Sequence, residues 1–385
     1  MAQQALHIAL VANTAWNLHH FRGGLIQALQ EAGHRVVAIG PPGGDGDYAA
    51  LQKLGVTFVP LEHLSRKGIN PIRDMLLCLE LARIYRSHGL DLAMHYTVKC
   101  NIYGSMAARL SGIRSISTVT GLGYSFLRMG LVQAVVKLLY SMAFRRADLV
   151  YFQNPDDRAF FLERGLVQAN RARMVPGSGI DPQIWAPRSD RKQMAESAPF
   201  RFLYVGRMLY DKGVRELIEA ADLLVARGLN LIVDLIGEAD NGNPAALSPD
   251  ELQQPGKPHL RFHGPLSSLQ DWYAAADAVV LPSYREGLPR VLLEALCMEC
   301  PVVATRVAGC TELIRHGFTG ILADPSSASD LADAMKQMME LPMERREQMG
   351  RAGRQLVVRE FSEERVIGVY LGAISELFQK SRDLT

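Results

Sequence analysis

The sequence predicts an α/β protein of two domains, each a parallel sheet flanked by helices. Three observations predict it. The chain has 385 residues, more than one ordinary core accommodates. Short apolar runs of strand length alternate with helix-length amphipathic stretches, the pattern of right-handed crossover units. The alternation breaks over residues 181–197, which carry two prolines and many charges, and restarts at residue 200.

In the first set, residues 8–13 form a buried-type strand, and 25–32 a helix closed by Gly33. The intervening stretch 14–24 reads as a loop carrying Gly23-Gly24. Residues 35–39 are a strand ended by Gly40-Pro41-Pro42, and 56–60 is strand-like. A long amphipathic helix covers 71–87 and stops at Gly89. Residues 92–95 are a strand, 102–110 a helix, and 115–120 a strand ending at Gly121.

In the second set, 200–205, 231–236, 260–262, 278–281, 302–304 and 320–322 read as strands. Helices fall over 213–226, 269–275, 289–298 and 329–341. A final helix over 362–380 has no strand after it and is expected to cross back onto the first domain. These readings give a Rossmann-like domain over 1–183, a second over 198–361 facing it across a cleft, and a returning segment at 362–385. No G-x-G-x-x-G follows the first strand, which argues against a dehydrogenase.

Composition narrows the function class. The chain is 48% hydrophobic and 21% charged, as in a globular protein, and its net charge of +2 offers no global attraction for nucleic acid. The opening residues lack a secretory pattern, and no stretch reaches the roughly 20 apolar residues of a spanning helix. Cys297 and Cys300 have C-x-x-C spacing without a second pair, inside an apolar helical pattern, so buried reduced thiols are expected. The expected compartment is the cytoplasm.

Two constellations carry chemistry. After strand 200–205 come Gly206-Arg207 and Tyr210-Asp211-Lys212-Gly213, then a helix. Two cations beside a helix N-terminus suit a phosphate, Arg207 as a bidentate fork and Lys212 as a point charge, although a solvated basic loop fits the same residues equally well. After strand 278–281 come Ser283-Tyr284-Arg285-Glu286-Gly287-Leu288-Pro289 and the helix Arg290-Val291-Leu292-Leu293-Glu294-Ala295. Pro289 suits the first helical position. Glu294 lies in an apolar stretch, where an acid needs a partner, and sugar hydroxyls would supply one.

Glu286 and Glu294, with the Val205-Gly206-Arg207 and Asp211-Lys212-Gly213 loop, resemble the paired-glutamate motif of glycosyltransferase family 4. Ala276-Asp277-Ala278 through Ser283, Gly309 and Gly317-Phe318-Thr319-Gly320 extend the likeness, which is strong over about 200–322 and looser before it. The resemblance implies the GT-B fold and retention of anomeric configuration. It implies that Arg207 and Lys212 bind the donor diphosphate, and that Glu294 takes the ribose. Glu286 and the backbone around Gly287, Leu288 and Pro289 contact the transferred sugar, and the turn Gly264-Pro265-Leu266 holds the base. Catalysis would rest on Glu286, Arg207 and Lys212, with no cofactor and no bound metal. The absence of a bound metal is accordingly an expectation, with the cations in its place as leaving-group stabilisers.

Asn17-Leu18-His19-His20-Phe21-Arg22, Lys99-Cys100-Asn101 and Thr120-Gly121-Leu122-Gly123 resemble bacterial transferases that extend undecaprenyl-diphosphate-linked sugars. This implies a UDP-sugar donor carrying an N-acetylhexosamine such as GalNAc or GlcNAc, and a polyprenyl-diphosphate-linked acceptor. His20, Arg22, Lys99, Asn101, Thr120 and Gly121 are the candidate acceptor or cleft residues. Thr120 stands where many relatives carry histidine, so no role of that histidine is carried over.

Residues 126–146 hold four cations, no acid and many large apolar groups. Such a helix can lie in a membrane interface, on the inner face of the cell membrane, or be a core helix whose cations reach solvent. Arg66, Lys67 and Arg73 would extend its positive face. Two alternatives keep the fold: a small soluble acceptor, or a nucleotide-sugar-binding regulator without turnover.

Overall fold

The computed structural model describes residues 5–65, 70–122, 131–187, 198–240, 243, 245–252 and 256–379. Two compact units divide the chain, 1–178 with 363–385, and 179–362.

In the first unit seven strands lie in the order β3-β2-β1-β4-β5-β6-β7, every pair parallel. They are β1 (His7–Val11), β2 (Arg35–Gly40), β3 (Thr57–Pro60), β4 (Leu92–Tyr96), β5 (Arg114–Val119), β6 (Leu149–Phe152) and β7 (Ala172–Met174). The helices are α1 (Ala15–Glu31), α2 (Asp45–Lys53), α3 (Pro71–Ser87), α4 (Ser105–Ser111), α5 (Leu131–Phe144), α6 (Pro155–Glu163) and, from the chain end, α13 (Glu363–Gln379). Successive residues of β1 serve opposite faces. Ile8 and Leu10 pack with α1 and α13, while Ala9 and Val11 pack with α3 and α4. The final helix thus completes the core of the first unit, with Tyr370 donating to or accepting from Thr118 at 2.9 Å.

One expectation fails here. The stretch 14–24 is helix, not loop: α1 starts at Ala15, capped by Thr14, whose side chain accepts from Asn17 N at 3.0 Å. Gly23-Gly24 resembles a break, but both glycines lie inside the helix, with the Glu363 carboxyl 2.5 Å from where a Cβ on Gly24 would stand. Helix 102–110 resolves into a π-helical turn, Cys100–Gly104, followed by α4. Gly104 is required there, since a Cβ would lie 2.3 Å from the His95 ring.

The second unit has six strands in the order β10-β9-β8-β11-β12-β13, again all parallel. They are β8 (Phe200–Val205), β9 (Leu231–Ile236), β10 (Leu260–Gly264), β11 (Ala278–Leu281), β12 (Val302–Thr305) and β13 (Ile321–Ala323). Its helices are α7 (Val214–Ala226), α8 (Pro249–Leu252), α9 (Gln270–Ala275), α10 (Arg290–Cys297), α11 (Ala328–Glu340) and α12 (Met343–Glu360). In both sheets the winding direction reverses between the first and fourth strands. Ligands of open parallel sheets bind beyond the strand C-termini at such a switch point. All five cysteines are free. Cys297 and Cys300 are buried, and burial pushes the Cys297 thiol up to about 11, so neither is a ready nucleophile or ligand.

Candidate functional site

The second unit's switch point lies between β8 and β11, and both constellations stand in the loops leaving those strands. The chain leaves β8 through Gly206 and Arg207, makes a 3-10 turn over Tyr210–Lys212, and enters α7 at Gly213. Gly213 has φ +70, and a Cβ on it would stand 2.1 Å from the Pro282 carbonyl oxygen. That contact presses the two loops together. Tyr284 N donating to Asp211 O at 2.9 Å holds them so. Gly237, after β9, approaches the Gly206 carbonyl still more closely.

Lys212 and Glu286, 74 positions apart in sequence, are thereby paired: Nζ lies 2.5 Å from Oε1, with both side chains largely out of solvent. Gly309, at φ +85, packs against Glu286 and Gly287, where any Cβ would collide with the Gly287 carbonyl. Beside them Ser283 is buried and its Oγ has no hydrogen-bond partner. Arg207 is half-exposed and donates to Asp240 Oδ2 at 3.2 Å, while Tyr204 OH donates to the Arg207 carbonyl at 2.9 Å.

Glu294 is 8% exposed on α10. Its partners come from the protein: Tyr273 OH donates to Oε2 at 2.9 Å and Arg290 Nε to Oε1 at 3.1 Å. The partner that an acid in this apolar stretch was expected to need is thus supplied within the protein. Burial raises its pKa, and Arg290 and the Tyr273 hydroxyl oppose that rise. Pro289 is the cap of α10, one position before the expected one. Gly287, Leu288 and Pro289 are buried in the loop between the two glutamates. Gly264 ends β10 at φ +68, its carbonyl accepting from Gly237 N at 2.9 Å, and Leu266 next to it is exposed.

Arg290 was readable in the sequence as the i,i+4 partner of Glu294. Asp240 and Tyr273 were not, since nothing local marks which polar residue of a distant loop or helix returns to the site.

The first unit has its switch point between β1 and β4, and the remaining candidates gather around it. Arg22, expected in a loop, lies on α1 and is 2% exposed. Its guanidinium stands 4.0 Å over the Tyr96 ring and donates to Phe21 O at 3.2 Å. Among the described residues no carboxylate pairs with it. Lys99 pairs with buried Asp74 at 2.7 Å. Asn101 is buried and donates to the Thr118 carbonyl at 2.8 Å. Thr120 and Gly121 follow β5 half-buried, Gly121 at φ +121. His20 is exposed and stacks on Trp16 at 4.5 Å.

Sequence spacing hid one grouping. His19, His20 and Asp47 bring possible metal-ligating atoms within 4.8 Å of one another, because α2 returns beside the start of α1. Arg66, Lys67 and residues 126–130 lie outside the described residues. No helix is long and apolar enough to cross a membrane among those described.

Comparison with known proteins gives the family and the fold. Residues 187–356 fit the family described as glycosyl transferases group 1, and residues 7–154 fit glycosyl transferase 4-like. The chain is 28% identical over 349 residues to the Campylobacter jejuni N,N'-diacetylbacillosaminyl-diphospho-undecaprenol α-1,3-N-acetylgalactosaminyltransferase, covering 87% of this chain and 90% of that protein. It is 30% identical over 306 residues to a capsular polysaccharide biosynthesis glycosyltransferase of Staphylococcus aureus, covering 77% and 80%. The structure of Anabaena HepE with UDP-glucose superposes with a TM-score of 0.80 at 17% identity, covering 96% of this chain and all of that one. Structural neighbours of this kind share the GT-B arrangement of two parallel-sheet domains.

Proposed function

Because the chain belongs to the glycosyl transferases of group 1, we propose that it moves an N-acetylhexosamine from a UDP-sugar to a polyprenyl-diphosphate-linked saccharide, with retention. The Lys212–Glu286 pair at the switch point carries this reading. In this reading Lys212 is the cation for the diphosphate and Glu286 the carboxylate for the sugar. A diphosphate bears more charge than one carboxylate, so an arriving donor competes for Lys212 and frees Glu286 for sugar hydroxyls.

In the transfer, an acceptor hydroxyl forms a bond to the anomeric carbon from the side on which the diphosphate leaves. The carbon–oxygen bond to the diphosphate breaks, and the departing diphosphate takes the hydroxyl proton. Arg207 and Lys212 neutralise the charge that grows on that leaving group. Glu294 holds the ribose, Gly264 and Leu266 border the base, and Gly287 and Leu288 offer backbone N–H groups to the sugar. His20, Arg22, Lys99, Asn101, Thr120 and Gly121 form the acceptor side.

The lipid-linked acceptor is supported by the activity for which the Campylobacter relative is named. It is also supported by α5, which exposes Val135, Leu138 and Met142 and is followed by exposed Arg145 and Arg146, as a segment resting on an anionic bilayer needs. Nucleotide release tests the reading. UDP-GalNAc and UDP-GlcNAc are offered with an undecaprenyl-diphosphate-linked saccharide and with water-soluble sugars. Release that needs the lipid-linked acceptor supports it. Equal release with a soluble sugar points to the small-acceptor alternative, and none with any pair to a regulator without turnover.

A further inference from the structure

Half of the large apolar side chains exposed among the described residues, eight of sixteen, fall on three helices of the first unit. On α3, Ile72, Met75, Leu76 and Leu79 stand at helical spacings of three, four and seven, a single outward stripe, with Ile72 70% exposed. On α4 there is Leu110, and on α5 Val135, Leu138 and Met142, with Leu138 61% exposed. The other eight are scattered singly over the molecule, as is ordinary for a surface.

The three helices are neighbours. The α4 helix packs against α3 on one side and α5 on the other. All three cover one face of the first sheet, the face served by Ala9 and Val11 of β1 and by Val150 and Phe152 of β6. The buried sides of α3 and α5 are spent on that sheet, so the outward stripes are additional apolar surface.

The exposed charges carried by these three helices and the two residues after α5 have one sign. Arg73, Arg83 and Arg86 on α3, Arg109 on α4, and Arg145 and Arg146 after α5 are exposed. The two acids of these helices are engaged inward. Asp74 is buried against Lys99, and Glu80 accepts from the backbone N–H groups of Glu62 and His63.

We propose that α3, α4 and α5 together form a lipid-docking face that lies flat on an anionic bilayer, with the α3 stripe inserted among the acyl chains and the arginines at head-group level. The inference deepens the reading of a lipid-linked acceptor and rests on it. An anionic bilayer fits both features at once, apolar surface and cations without acids. A second copy fits less well, since a two-fold contact through this face sets arginines against arginines.

Co-flotation with vesicles of phosphatidylcholine, with and without phosphatidylglycerol, tests the face. The full chain binds the anionic vesicles, and the Met75→Ser/Leu76→Ser/Leu79→Ser variant binds them about tenfold more weakly. An Arg83→Glu/Arg86→Glu variant keeps the apolar stripe and shows a similar loss on anionic vesicles only, which guards against misfolding of the first. Unchanged UDP affinity and unchanged nucleotide release with a short-chain acceptor show that the fold and the transfer reading stand. Equal flotation of all three proteins overturns the α3 face, as does failure of the full chain to float. So does a concentration-dependent dimer that the serine variant abolishes. Failure of the transfer reading shows separately, as no nucleotide release with short- or long-chain lipid-linked acceptors.

Discussion

The two switch points handle charge in opposite ways. In the second unit three cations of the site each have a carboxylate: Lys212 with Glu286, Arg207 with Asp240, Arg290 with Glu294. In the first unit Lys99 is matched with Asp74, but Arg22 is buried over Tyr96 with no carboxylate among the described residues. A pre-paired site is stable when empty and binds by exchange of partners. A buried unmatched guanidinium is costly when empty and gains most when an anion arrives. On the proposed reading, the donor is the ligand for the second unit and the anionic diphosphate of the acceptor the ligand for the first.

The largest effect is expected where pairing and chemistry coincide. Lys212→Ala and Glu286→Gln should each lower kcat by roughly a hundredfold or more, about 2–4 kcal/mol of transition-state stabilisation. Steady-state kinetics at saturating donor and acceptor checks this, and near-normal kcat for both would remove the pair from the reaction. Next comes Arg22→Met, which relieves a buried charge while keeping its apolar stem. It should raise the melting temperature yet lower kcat/KM for the lipid-linked acceptor about tenfold, the stability–function exchange expected of a binding cation. A fall in both would make Arg22 a structural residue.

A smaller effect is expected at Glu294. Glu294→Gln keeps a partner for Tyr273 and weakens the ribose contact in ground and transition states alike. The donor KM should rise roughly tenfold with kcat nearly unchanged. A pH effect separates the first unit from the second. Burial lowers the His95 pKa from 6.5 to about 3, and its Nε2 lies 3.0 Å from Tyr85 OH. The unfolded chain takes up that proton near pH 6.5 and the folded chain does not. Stability is thus fully present above pH 6.5 and is lost as pH falls, by up to about 1.4 kcal/mol per pH unit. Denaturant titrations at pH 7 and 5 should show this loss, and His95→Gln should reduce it. The smallest expected effect is that of chelation. Exhaustive EDTA treatment should leave transfer intact, because cations stabilise the leaving group. Loss restored by magnesium or manganese would contradict that, and the grouping of His19, His20 and Asp47 would be the first place to look.

The second unit was the more legible in sequence for a physical reason. Its strands, its helix starts and both glutamates lie in short local patterns, with Gly213 and Pro289 marking turns that only a few backbone conformations allow. What stayed hidden were partners brought by topology: Asp240 from the loop after β9, Tyr273 from α9, and the Lys212–Glu286 contact itself. In the first unit, Gly23-Gly24 looked like a loop because a helix interior disfavours glycine. The Glu363 carboxyl, from the far end of the chain, packs beside Gly24, a contact no local pattern announces. The α3 stripe reads as an ordinary amphipathic helix in sequence. Periodicity says which residues share a face, not which face the sheet takes.

The division of labour between the two switch points is tested most directly by UDP affinity, measured calorimetrically on the unaltered protein, on Lys212→Ala and on Arg22→Met. The account predicts at least about a tenfold loss for Lys212→Ala, one charge-assisted contact of roughly 1.4 kcal/mol or more, and no change for Arg22→Met. Normal affinity in the lysine variant with a clear loss in the arginine variant would contradict it, and would place the nucleotide diphosphate on the first unit instead.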